Sequence, residues 1–201
     1  SILGFSQGLL DGIGGDLTEK QQKYVKIINS SSNDLYSFMD KFLEFSYAES
    51  SLYEPDLKNF DIVEAIKNIA KNYTEECAQK KLEITFDYDL IDKRTVYTDY
   101  KAFQRAIKNI IEVSLGMTEN GGISLKLNYP DQEDAISYGL AQNKNYMHLT
   151  IKDTDSGIDK SEMKYLCDPF AQLENGKRNL ARAFKLGSAC IIIRRSGGYV
   201  D

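Results

Sequence analysis

The residues able to do chemistry are few, and the scarcity is informative. His148 is the only histidine in 201 residues. A Ser-His-Asp or Cys-His triad would have to be built on it, and a His-rich metal site is excluded. It stands in an alternating stretch opposite Met147, Leu149 and Ile151, the pattern of a surface or edge-strand histidine. Cys77, Cys167 and Cys190 are odd in number and far apart. They match neither a CxxC zinc site nor a disulfide framework, and read as buried thiols in a reducing cytosol. Asp153-Thr154-Asp155-Ser156-Gly157 clusters carboxylates with a glycine. Taken alone it is a polar turn closed by Asx-type hydrogen bonds.

The elements that position these residues fall into two blocks. Apolar residues at helical spacing in 1–10 lead into a glycine-rich stretch at 11–16, and Thr18-Glu19-Lys20-Gln21 is a capping box that starts a helix. Tyr24, Ile28, Ser31, Leu35, Phe38, Phe42 and Phe45 then recur in alternating steps of four and three. Periodicity alone allows an ordinary amphipathic core helix. The stripe is widened by Ile27, Met39 and Leu43, however, and a hairpin has little else to bury it against, which favours a seam with a second copy in a four-helix bundle.

Beyond Pro55 the pattern changes. A short strand is expected at 57–62, an amphipathic helix at 62–77 and a half-buried strand around Leu82, Ile84 and Phe86. A strand at 96–98, a helix at 100–117, a Gly121-Gly122 turn and a strand at 123–129 follow. An acidic surface insertion spans 130–144. Another strand runs through Met147, Leu149 and Ile151, and a last helix covers 180–195 after a short segment at 161–170 and a charged loop at 172–179. Tyr199 and Val200 look like the start of one more strand. The fold class expected is α+β, a helical hairpin (1–52) followed by a mixed-sheet α/β sandwich (53–201). The uncapped start and strand-like end read as cuts inside a longer protein. Thirty acidic and 25 basic residues give a net charge of −5, which argues against nucleic acid held by a basic face. No apolar run approaches the ~18 residues of a membrane span, so no membrane contact is expected of this stretch.

Across nearly its whole length the sequence resembles the transmitter core of sensor histidine kinases. ILGFSQGLL at 2–10 is similar to the segment after the phosphorylated histidine, and 17–50 looks like the second dimerisation helix and its linker. TDYKAFQRAIKNII at 98–111 resembles the approach to the asparagine-containing helix, and TENGG at 118–122 its exit. DTDSGI at 153–158 resembles the adenine-site loop D-T-G-x-G-I, and DPFAQ at 168–172 the phenylalanine motif, which carries Phe170. The resemblance implies a dimeric hairpin followed by a Bergerat-type ATP-binding sandwich in a cytoplasmic part of a two-component signalling protein. Its hairpin would dock a response-regulator receiver domain.

The resemblance also shows where the chain departs from the pattern. The acceptor histidine would lie upstream of Ser1, and His148 does not replace it. Against N-L-L-x-N-A-x-K-F-T, Asn109 is kept, but Val113 stands where the Mg²⁺-binding asparagine belongs and offers no oxygen. Asp153 and Gly157 of the adenine loop are retained, while Asp155 replaces a glycine. Counting back from Gly197-Gly198 puts Ala181, Ala183 and Lys185 on the three glycines of G-T-G-L-G-L. The helix is therefore expected to begin early and cover the former phosphate site; in the alternative, Arg182 and Lys185 attract phosphate. Three readings follow. A degenerate kinase, or pseudokinase, needs no cofactor and acts as a docking or phosphotransfer scaffold. An active kinase would use ATP and Mg²⁺. A plain dimerising linker of a larger receptor would bind no receiver domain.

Overall fold

The computed structural model describes residues 1–50, 54–89, 94–130, 136–140, 145–155, 157, 163, 165–171 and 180–200. The chain divides into two compact units, Ser1–Glu44 and Phe45–Asp201.

In the first unit, α1 (Ile2–Leu10) precedes the long helix α2, which spans Glu19–Glu49. The expected capping box forms: Thr18 Oγ1 accepts from the Gln21 amide at 3.4 Å, and Gln21 Oε1 accepts from the Thr18 amide at 2.9 Å. The side chains reciprocally satisfy donors that a helix start leaves without partners. Between the helices, Asn29 Nδ2 donates to Ser6 Oγ at 2.9 Å, and Ser6 Oγ donates to the Leu3 carbonyl. Tyr24, Ile28 and Leu35 of the heptad stripe are exposed in the single chain, as are Ile27, Met39 and Leu43, while Phe38 stacks on Phe42. Phe45, placed in the same stripe by its spacing, is instead 4% exposed inside the second unit. Its ring lies edge-on to Phe170 and Phe184, at 5.7 and 5.6 Å. The heptad step is met at Phe45, but single-chain packing has already used the side chain.

The second unit holds two sheets. β1 (Leu57–Asp61) pairs antiparallel with β3 (Thr95–Asp99). β2 (Glu83–Asp89) pairs parallel with β4 (Gly122–Asn128), which pairs antiparallel with β5 (His148–Asp153). The larger sheet is therefore mixed, in the order β2-β4-β5. Ile123, Leu125 and Leu127 of β4 point into the core while Ser124 and Lys126 face out, the period of two of a half-buried strand. Helices α3 (Ile62–Asn72), α4 (Thr74–Gln79) and α5 (Tyr100–Met117) cover the core face, with Ile66, Ile69 and Ile111 fully buried. Each contributes about 1.5–3 kcal/mol by leaving water. The single helix expected over 62–77 is broken at Tyr73, where the amide reaches back three residues to the Ala70 carbonyl. Asp99 caps α5 by accepting from the Ala102 amide at 2.9 Å, and its second oxygen accepts from the Asp56 amide.

The last helix, α6 (Leu180–Arg195), packs on α5 and closes with Gly198 N donating to Ile193 O and Gly197 N to Arg194 O. Tyr199 and Val200 lie outside any strand. The insertion expected at 130–144 is described only at Pro130 and 136–140, and the loop expected at 172–179 lies outside the described residues apart from its approach at 165–171. Among the described residues no helix is long and apolar enough to cross a membrane.

Candidate functional site

Helix α5 is the element on which the site depends. Its sequence buries Ile107, Ile111 and Leu115 against the sheet and turns Ile110, Val113 and Met117 toward an open cleft of about 1940 Å³. The steps of three and four between those residues put them on one helical face. Asp153, Asp155 and Gly157 enter the same cleft from the end of β5.

The loop after β5 is pinned at Thr154. Its hydroxyl donates to the Asn120 carbonyl at 2.5 Å and accepts from the Gly122 amide at 3.0 Å. That staple anchors the loop beside the flanking aspartates. Asp153 is exposed and Asp155 half-buried. Gly157 has φ +83°, in the left-handed region that an L side chain adopts at a cost.

The sequence-derived site residues thus separate. Val113, Asp153, Asp155 and Gly157 share the cleft. Asn109 is buried at 3% on α5 and is not among the lining residues. Phe170 is exposed on one side and meets Phe45 and Phe184 on the other. Ala181, Ala183 and Lys185 lie within α6, which begins at Leu180, so the segment aligned with the glycine box is helical. Lys185 does not reach for an anion in the cleft. Its Nζ stands 2.7 Å from Glu112 Oε2, and Tyr73 Oη donates to Glu112 Oε1 at 3.3 Å. His148 opens β5, half-buried at the edge of the described sheet, with Nε2 3.4 Å from Thr150 Oγ1.

The chemistry open to this arrangement follows from its donors. Val113 presents methyl groups and no oxygen, so a hard cation finds no ligand there. No group of three or more His, Cys, Asp or Glu side chains is placed to hold a metal among the described residues. Among the described lining residues there is also no lysine or arginine, while Asp89, Asp153 and Asp155 are present.

Sequence reasoning missed two features. Glu112 was passed over as the variable position between Asn109 and Val113, though Lys185, one of the replaced glycines, is a charge in need of a partner. The cysteines are the second. Cys167 and Cys190 are joined as a disulfide, with Cα atoms 5.6 Å apart, and only Cys77 is a free, buried thiol. The reading of three thiols is corrected because 22 residues of intervening chain fold back so that the two Cβ positions meet.

The Tyr73–Glu112 contact carries a pH prediction. Burial first, then the Glu112 charge and hydrogen bond, push the Tyr73 phenol above its ordinary value of 10.0. The folded chain therefore keeps this proton after the unfolded chain has lost it. The contribution is whole below about pH 10 and is lost as pH rises through the folded value. Tyr73→Phe should cost about 1 kcal/mol at pH 8, and its deficit against the parent should shrink by pH 11 in urea unfolding. A constant deficit would mean that the phenol's ionisation is not coupled to folding.

No protein-family profile matches the chain. It is 28% identical over 176 residues, 87% of its length, to an uncharacterized sensor-like histidine kinase of Rhizobium meliloti strain 1021, and spans 31% of that relative. Among solved structures it is similar to full-length ShkA in complex with AMPPNP, with a TM-score of 0.63 at 20% identity over 94% of this chain and 37% of ShkA. The Acinetobacter baumannii histidine kinase AdeS gives a TM-score of 0.58 at 20% identity, covering 96% of this chain and 82% of AdeS. The hairpin and mixed-sheet sandwich are thus a histidine kinase fold. Sequence relatives and fold together liken the chain to the transmitter cores of sensor histidine kinases.

Proposed function

We propose that this chain is a dimeric, cytoplasmic transmitter of two-component signalling whose Mg·ATP site is degenerate, acting as a docking or phosphotransfer scaffold for a response-regulator receiver domain. The observation that carries the reading is Val113, which faces the cleft from the α5 position where the resemblance calls for an oxygen ligand. Phosphoryl transfer depends on positioning and charge neutralisation, and Val113 offers no oxygen through which a metal ion could supply either. The helical course of 180–186 and the pairing of Lys185 with Glu112 point the same way. The exposed stripe of Tyr24, Ile28 and Leu35 supports the dimer, since apolar helical faces of that extent are normally covered.

Isothermal titration of Mg·ATP into the chain should give no Mg²⁺-dependent binding in the micromolar range. Micromolar, Mg²⁺-dependent heat would overturn the reading in favour of an active kinase. A panel of receiver domains tested by pull-down separates the scaffold, which retains one of them, from a plain dimerising linker, which retains none.

A further inference from the structure

We infer that Cys167 and Cys190 form a reversible thiol–disulfide modification site whose substrate is a low-molecular-weight thiol, and that its state fixes or frees one wall of the cleft. The bond joins the segment 165–171 to the middle of α6. Leu166 on one side of it, and Ala189 with Cys190 on the other, line the cleft. The same segment is held by packing as well. Pro169 sits over Gly187, its Cδ 2.9 Å from where a Cβ would stand, so only glycine permits the approach. Phe170 lies edge-on to Phe184 at 5.3 Å. Breaking the bond therefore loosens a docked segment and leaves the rest of the unit with its core.

The two sulfurs are not equivalent. Cys190 is 2% exposed and Cys167 is half-buried, so Cys167 is the more accessible of the two for attack. A thiolate attacks Cys167 Sγ, the S–S bond breaks, and its electron pair leaves on Cys190 Sγ, which takes a proton. A second thiol resolves the mixed disulfide. Two small thiols are oxidised to one small disulfide, and the protein disulfide is reduced to two cysteines. Cys77 takes no part, because it is buried and its thiol is pushed up in pKa, first by burial and then by Glu76. In the cytoplasmic setting proposed above, on which this step rests, a disulfide is more often redox-responsive than structural.

The test uses the purified chain equilibrated in a series of reduced-to-oxidised glutathione ratios, then quenched in acid, unfolded, alkylated under denaturing conditions and mapped by mass spectrometry. In parallel, chymotrypsin cleavage after Phe170 is timed under native conditions. The oxidised chain should alkylate only at Cys77 and be cut slowly. The reduced chain should alkylate at all three cysteines and be cut roughly tenfold faster, as expected when a local tether is lost. Cys167→Ser, with Cys190→Ala as a second variant, should show the fast rate at every ratio. Three alkylated cysteines in the oxidised chain, or a cleavage rate that ignores the glutathione ratio, would overturn the inference. Neither readout involves nucleotide, so the outcome is separable from the fate of the degenerate-site reading.

Discussion

Replacing Phe184 by alanine should lower the stability of the second unit by about 3–5 kcal/mol. The side chain is 2% exposed and sits between two other rings, Phe45 at 5.6 Å and Phe170 at 5.3 Å, both edge-on. The substitution removes the ring's transfer energy and opens a cavity that α6 is too firmly packed to collapse. It also forfeits two edge-to-face contacts worth about 0.5–1.5 kcal/mol each beyond area. Against a whole-domain stability of about 5–15 kcal/mol the loss is large. Phe170→Ala is the internal comparison: that ring is 62% exposed and shares only the Phe45 and Phe184 contacts, so about 1–2 kcal/mol is expected. Denaturant unfolding of both variants checks the pair. A Phe184 deficit no larger than that of Phe170 would mean that the aromatic cluster does not hold α6 to the unit.

The same cluster shows what the sequence could and could not reveal. The helices expected at 100–117 and at about 180–195 are found as α5 and α6, because clustered apolar residues give each a local signal. The alternation around Ile84 and Phe86 was likewise legible, a period of two imposed by a half-buried sheet. Phe45 was misplaced because heptad spacing specifies a face and not the partner that covers it. The break at Tyr73 was missed because its side chain continues the apolar stripe of α3, and the departure lies only in the backbone. The Cys167–Cys190 link and the Lys185–Glu112 pair depend on chain return over long separations, which no local pattern encodes. Of the candidate site, the residues of α5 and the loop after β5 converge on the cleft. The glycine-box positions do not, since alanines and a lysine favour a helix where glycines would have kept a loop open.

Val113→Asn should introduce a Mg²⁺ dependence that the degenerate-site reading does not expect of the parent chain. Asparagine is close to valine in volume, so the exchange leaves the α5 face largely intact and places an amide oxygen where two methyls now line the cleft. The position is 8% exposed. An unsatisfied amide there would cost about 1–3 kcal/mol, and water in the open cleft brings the expected loss to the lower end. Mg²⁺ takes one or two protein ligands and draws the rest from phosphate and water, so a single restored oxygen is a large share of the site. For the parent, ATP affinity measured with Mg²⁺ and with EDTA should differ little. For the variant, Mg²⁺ should tighten binding roughly tenfold, equivalent to about 1.4 kcal/mol. Val113→Leu, which adds bulk without oxygen, should behave as the parent does. A strong Mg²⁺ dependence in the parent would sink the degenerate-site reading outright. A variant that folds but gains none would move the cause from the missing ligand to the rest of the cleft, which Asp153 and Asp155 also line.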